Sequence, residues 1–210
     1  MKLLKTWLVL VSFFLMGSAV ADVPEPQRLL QEIANRMVLI LKDNKEQLAK
    51  DPNYASQIVR ENLLPLIDTD GIGKRLLKRS QWAQLSEEQQ VRFNNAFIEH
   101  LIQTYAQGLA HYDDHQFVFE QTRFSRTGKT AWVYSELVAK DYEKFDIIYT
   151  LKTSDEYQGW KVIDIAVNGI KILQNYREQL KTVDLTEGFD ALLAKIEAEQ
   201  TNVNRSTTGK

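Results

Sequence analysis

The chain of 210 residues contains no cysteine and only three histidines, four prolines and nine glycines. Without cysteine there can be no disulfide, no thiolate metal centre and no thiol nucleophile, so burial has to supply the stability. His100, His111 and His115 leave little material for an imidazole-rich metal site, and no Gly-x-Ser-x-Gly turn offers a serine nucleophile. Charge of one sign is missing as well: 26 lysines and arginines stand against 28 aspartates and glutamates. Binding a nucleic-acid backbone needs a concentrated basic surface, so the balance argues against that class of partner. Beyond the first 21 residues no apolar run approaches the roughly 20 residues of a bilayer crossing, and stable membrane insertion is not expected.

What is present begins with an export signal. Met1 to Ala21 combines Lys2 and Lys5, an apolar run from Trp7 to Met16, and the small residues Ala19-Val20-Ala21, which predicts cleavage after Ala21 and an exported protein starting at Asp22. Cleavage leaves 24 basic and 28 acidic residues, a net charge of −4. The pattern predicts one domain over 22–199 and a disordered, apolar-poor tail over 200–210.

Helical periodicity dominates the first half. Leu29, Ile33, Met37, Ile40 and Leu41 predict a helix within 25–50, and Asp51-Pro52 opens a second one that ends or kinks at Pro65. A short helix is expected after Asp70-Gly71. Ser86-Glu87-Glu88-Gln89 is a capping box, and the helix behind it carries Phe93, Phe97, Leu101, Tyr105 and Leu109 at every fourth place. The period then drops to two. Segments near 116–122, 131–140, 145–152 and 160–167 predict about four antiparallel strands, followed by helices at 169–180 and 186–199. The fold class is α+β, a curved antiparallel sheet with helices forming a lid.

Candidate motifs for chemistry are weak. Asp68-Thr69-Asp70-Gly71-Ile72-Gly73-Lys74 resembles the start of a calcium loop, but its twelfth position is Arg79 rather than glutamate, and Asp68 stands where a phosphate loop needs glycine. Helix capping is the better reading. His111 and His115 share a spacing suited to zinc but have no third ligand fixed by sequence, so no metal is expected. Lys74, Arg75, Lys78 and Arg79 form a basic run that can be a rim for phosphate or a solvated helix face.

Trp160 to Arg177, WKVIDIAVNGIKILQNYR, is the most informative stretch. Trp160, Val162 and Ala166 alternate with Ile163, Ile165 and Val167, so both faces of the strand are apolar and something must cover each. More protein can do so, and so can a greasy ligand. Asp164 is the one acid in this strand. It is a candidate general base for an isomerase or dehydratase in a cone-shaped pocket, although a structural bond to a backbone group or to an arginine such as Arg177 is favoured.

Asp51-Pro52-Asn53-Tyr54, Leu63-Leu64-Pro65, the helix start at Ser86, Phe93, Phe97, Leu101 through Tyr105, Trp160, Asp164-Ile165, Gly169-Ile170 and Asn175-Tyr176-Arg177 together resemble the MlaC or toluene-tolerance family of periplasmic phospholipid-binding proteins. The resemblance spans about Pro24 to Ile196. It implies a nuclear-transport-factor-2-like cone with added helices around an apolar cavity, no catalysis, and no cofactor other than phospholipid cargo. It also implies transfer between an outer-membrane lipoprotein–porin complex and an inner-membrane complex of an MCE-domain protein, a permease and an ATPase, which maintains outer-membrane lipid asymmetry. Lys171 departs from the small residue common there. Matching positions and sidedness put Leu63, Leu64, Ile67, Leu76, Phe97, Leu101, Tyr105, Val133, Leu137, Ile147, Tyr149, Val162, Ile165 and Ile170 at or near the acyl tails. A cavity-free periplasmic adaptor is the remaining alternative.

Overall fold

The structure, a computed structural model, describes residues 24–110, 115–139, 143–154, 157–180, 188–194 and 196. The expected signal peptide, His111, the tail over 200–210 and both ends of the helix expected at 186–199 lie outside the described residues.

Helix α1 spans Glu25–Asp43 and α2 Lys45–Lys50. The single helix expected here is interrupted at Asn44, whose amide nitrogen donates back to the Ile40 carbonyl at 2.8 Å while its amide oxygen accepts from the Tyr54 hydroxyl at 2.9 Å. Such local side-chain bonds compete with the helical ladder. Helix α3, Pro52–Asn62, starts as its sequence requires, with the Asp51 carboxylate accepting from the Asn53 amide at 2.9 Å. Pro65 lies in a 3-10 turn, Leu64–Leu66.

Helix α4 is Ile72–Leu76, and α5, Arg79–Gln84, is a short helix that the periodicity did not reveal. Gly73 is fixed by close approach: a Cβ there would run into the Trp82 ring, and the Gly73 amide donates to the buried Asn94 side chain at 2.9 Å. Helix α6, Glu87–Ala110, is opened by the capping box, since the Gln89 amide donates to the Ser86 hydroxyl and the Ser86 amide to the Gln89 side chain.

The sheet is antiparallel in the order β1-β2-β3-β4-β5, with β1 at Gln116–Phe124, β2 at Thr130–Val138, β3 at Lys144–Ser154, β4 at Tyr157–Val167 and β5 at Ile170–Lys171. Helix α7, Ile172–Leu180, follows directly. The fifth strand corrects the expected helix start at 169. Asn168 and Gly169 both take positive φ, 48° and 79°, and form a two-residue hairpin that pairs Val167 with Ile170 and Ala166 with Lys171.

Two apolar clusters result. The helical core joins Phe93 and Phe97 of α6 to Ile58, Leu76, Leu173 and the helical residues at 189–194. A smaller cluster occupies one face of the sheet, the inner face, where Leu30 of α1 packs on Val133, Leu151 and Val162. Helix α1 serves both: Leu30 faces the sheet, whereas Ile33, Met37 and Leu41 enter the helical core.

Candidate functional site

Strand β4 makes an unusual outer edge. At Val162 it forms a parallel bridge with Ile67, and the Asp68 amide donates to the Val162 carbonyl at 3.0 Å. Four residues later β5 takes over the pairing at Ala166. Between these two attachments the edge opens onto an apolar cavity of about 260 Å³. Leu63, Leu64 and Ile67 form one wall, Ile98, Leu101, Ile102, Tyr105, Ala106 and Leu109 of α6 a second, and Ile172 and Leu173 of α7 a third.

A register irregularity explains the β4 wall. Thr150 pairs with Asp164 but Leu151 pairs with Val162, so Ile163 is an extra residue, and the faces exchange parity across it. Val162 and Ile165 therefore point to the same side although they are three apart, and Val162, Ile163, Asp164 and Ile165 all border the cavity. The strict alternation assumed from sequence breaks at this point.

Asp164 is the one charged residue on the lining. Its carboxylate accepts from its neighbour's amide, Ile165, at 2.9 Å and from the Leu173 amide at 3.2 Å. Leu173 lies in the first turn of α7, where amides have no partner within the helix and the helix dipole favours a negative group. The acid therefore pins α7 to β4, which is the structural role favoured over that of a general base.

The anticipated tail-contacting residues separate into four groups. Leu63, Leu64, Ile67, Leu101, Tyr105, Val162 and Ile165 line the cavity. Leu76 and Phe97 are closed into the helical core at 2% and 1% exposure, and Val133, Leu137, Ile147 and Tyr149 lie along the inner sheet face. Ile170, in the hairpin strand, stands 65% exposed.

The division of α6 has a geometric cause: a four-residue step overshoots a turn by about 40°, so Phe93 and Tyr105 sit roughly 120° apart around the helix. Phe93 is fully buried and Tyr105 is 49% exposed. Val59, Ile98, Ile102, Ala106, Leu109, Ile163, Ile172 and Leu173 were not anticipated on the lining. For α6 the helical drift was the available signal, and for β5 it was Asn168-Gly169, the strongest short hairpin signal there is.

Other candidates are less suited to an apolar guest. The basic run does not converge on the cavity, and Arg75 is committed to Asp68 through its carboxylate and its carbonyl, each at 2.9 Å. A larger depression of about 680 Å³ on α6 opens to solvent among Glu87, Glu88, Arg92 and Glu99, whose acids oppose a phosphate. Among the described residues no group of three or more histidine, aspartate or glutamate side chains could hold a metal ion. No described helix is long and apolar enough to cross a membrane.

The family model for the MlaC protein matches residues 31–198, most of the chain. This chain belongs to the MlaC family. Among its relatives, the intermembrane phospholipid transport system binding protein MlaC of Haemophilus influenzae is 25% identical over 200 residues, covering 92% of each chain. Toluene tolerance protein ttg2D of Pseudomonas putida is 28% identical over 183 residues, covering 87% of this chain and 83% of its own. The fold also matches that of a phospholipid-binding protein from Ralstonia solanacearum solved in complex with a phospholipid, with a TM-score of 0.77, 21% identity, and coverage of 86% of this chain and 99% of that one. In this MlaC-family chain, the edge of β4 and the helices facing it thus enclose an apolar space within the family's architecture.

Proposed function

We propose that this chain is a non-enzymatic phospholipid carrier of the periplasm, which takes the acyl part of a glycerophospholipid into the cavity beside β4 and leaves the headgroup in water. The observation that carries this reading is an apolar cavity with one charged residue, itself engaged by two backbone amides, in a chain whose named relatives bind or transport phospholipid. Each methylene hidden from water is worth about 0.8 kcal/mol, so exposing two acyl chains of some thirty methylenes costs on the order of 20 kcal/mol. A carrier has to replace the bilayer with dry apolar walls, whereas a phosphate kept in solvent loses no hydration.

The same reading extends to the route. The charge balance does not favour lasting attachment to an anionic membrane, so loading and unloading require protein docking stations. An inner-membrane complex of an MCE-domain protein, a permease and an ATPase is one, and an outer-membrane lipoprotein–porin complex is the other. In this account Leu63, Leu64, Ile67, Leu101, Tyr105, Val162 and Ile165 touch the tails, and the exported single domain needs no cofactor.

Native mass spectrometry of protein purified without detergent tests the proposal. Retained mass that extracts and chromatographs as phospholipid is expected. A consistently empty protein that takes up none from liposomes overturns it.

A further inference from the structure

A solvent-open depression of about 330 Å³ adjoins the apolar cavity, since Leu64 and Ile98 line both. Apart from Pro65 its remaining lining is polar: Arg60 of α3, Thr69, and Asn95 and Glu99 of α6. Asn95 and Glu99 belong in turn to the larger depression on α6, which continues to Glu87 and Glu88. From the cavity outward, the groups therefore change in a fixed order, from aliphatic to cationic to acidic.

The ion pair at the centre sets that order. Arg60 donates from Nε to Glu99 Oε1 at 3.2 Å and from one Nη to Glu99 Oε2, and no described residue accepts from its other Nη. Both side chains are 40% exposed, and an ion pair so open to water is weakly held. A second cation reinforces the cavity end, where the Lys161 ammonium donates to the carbonyl of the lining residue Pro65. At the outer end, Arg92 is the one cation of the larger depression, and it is paired with Asp190 at 3.1 Å.

A phosphodiester that carries an ammonium on a short carbon link has the matching charges in the matching order. As it emerges from the cavity its phosphate meets Arg60, whose planar fork suits phosphate oxygens, and its ammonium meets Glu99. Each ion of the pair exchanges one partner for another, and no charge is left alone. An anionic headgroup with hydroxyls in place of the ammonium takes Arg60 as well, but it leaves Glu99 without a cation beside Glu87 and Glu88. Both depressions are open to water, so such a site sorts headgroups without burying them.

We propose that the Arg60–Glu99 pair is a headgroup site that favours zwitterionic phosphatidylethanolamine over anionic phosphatidylglycerol, with the phosphate on Arg60 and the ammonium on Glu99. The inference rests on the carrier reading and adds headgroup discrimination to it.

The test loads the protein from liposomes holding the two lipids in equal amounts with identical acyl chains, and extraction followed by mass spectrometry gives the bound ratio. Wild type should be enriched about threefold in the ethanolamine lipid, the scale of one half-exposed charge pair. Glu99→Gln should bring the ratio to parity. So should Arg60→Glu combined with Glu99→Arg, which keeps an ion pair at the surface but reverses its order; a role in folding alone would leave that ratio at the wild-type value. A wild type without preference, or a preference unchanged in either variant, overturns the proposal and leaves the carrier reading standing. Free phosphoethanolamine, which has both charges and no tails, should not displace bound lipid; displacement would assign the depression to a soluble phosphate ester and overturn the proposal too. Uptake of neither lipid fails the carrier reading, and the headgroup site falls with it.

Discussion

The helical core and the cavity beside β4 are lined by the same kinds of residue, and α6 contributes to both, yet one is filled and the other is open. Phe93 and Phe97 stack with ring centroids 6.4 Å apart, and Tyr176 of α7 meets Phe97 edge-on at 5.1 Å while its hydroxyl lies 2.9 Å from His100 Nε2. One to three turns further along α6, Leu101, Tyr105 and Leu109 line the cavity. The partner surface makes the difference. Toward the core α6 packs against other helices, whereas on its cavity side it faces a strand edge held by the Ile67 bridge on one side and the β5 hairpin on the other.

Truncation is the sharpest way to test that contrast. Phe97→Ala should cost about 4 kcal/mol of stability because it leaves a hole in a packed core, whereas Tyr105→Ala, at a half-exposed position on the cavity, should cost under about 1 kcal/mol. Urea unfolding of the two variants checks this, and equal losses would mean that the cavity wall is packed as tightly as the core.

The inner sheet face adds a pH test. Burial pushes the Tyr149 phenol up to about 12, with the neighbouring Ser135 side chain acting in the other direction. The folded value lies above the unfolded one, so the neutral phenol's contribution is fully present below pH 10 and is lost as pH rises through 12. Two units correspond to about 3 kcal/mol. Denaturation midpoints from pH 9 to 12 should fall more steeply for the wild type than for Tyr149→Phe.

Asp164 joins the two regions, and its removal should have a smaller effect. Asp164→Ala takes away the acceptor of two amides at the start of α7, with an expected loss of about 1–2 kcal/mol. Hydrogen exchange should quicken first at Ile172 and Leu173. Asp164→Asn should restore much of the protection, since an amide oxygen still accepts, and an unchanged exchange pattern in the alanine variant would separate α7 from this anchor.

The smallest stability effect belongs to a change that should strongly reduce cargo. Ala106→Phe extends a buried cavity residue into open space, so its folding penalty should stay below the 1–3 kcal/mol typical of overpacking. Retained phospholipid should fall about tenfold by native mass spectrometry.

Much of this protein was determined by local chemistry in the chain. The capping box at Ser86, the Asp51-Pro52 helix start and the change of period near residue 116 act over a few residues, and the α+β class follows from them. The residues beside β4 could be recognised as apolar for the same reason. Whether they fill space or leave it was decided by tertiary structure: pairing with β3 made Ile163 an extra residue and exchanged the faces of β4, and the Ile67 bridge and the β5 pairing set where the sheet edge lies relative to α6, although the drift of the four-residue repeat and the Asn168-Gly169 turn were already present in the chain. Hydrophobicity specifies that a side chain leaves water, but it carries no distance, and the distance between backbones is what separates a core from a cavity.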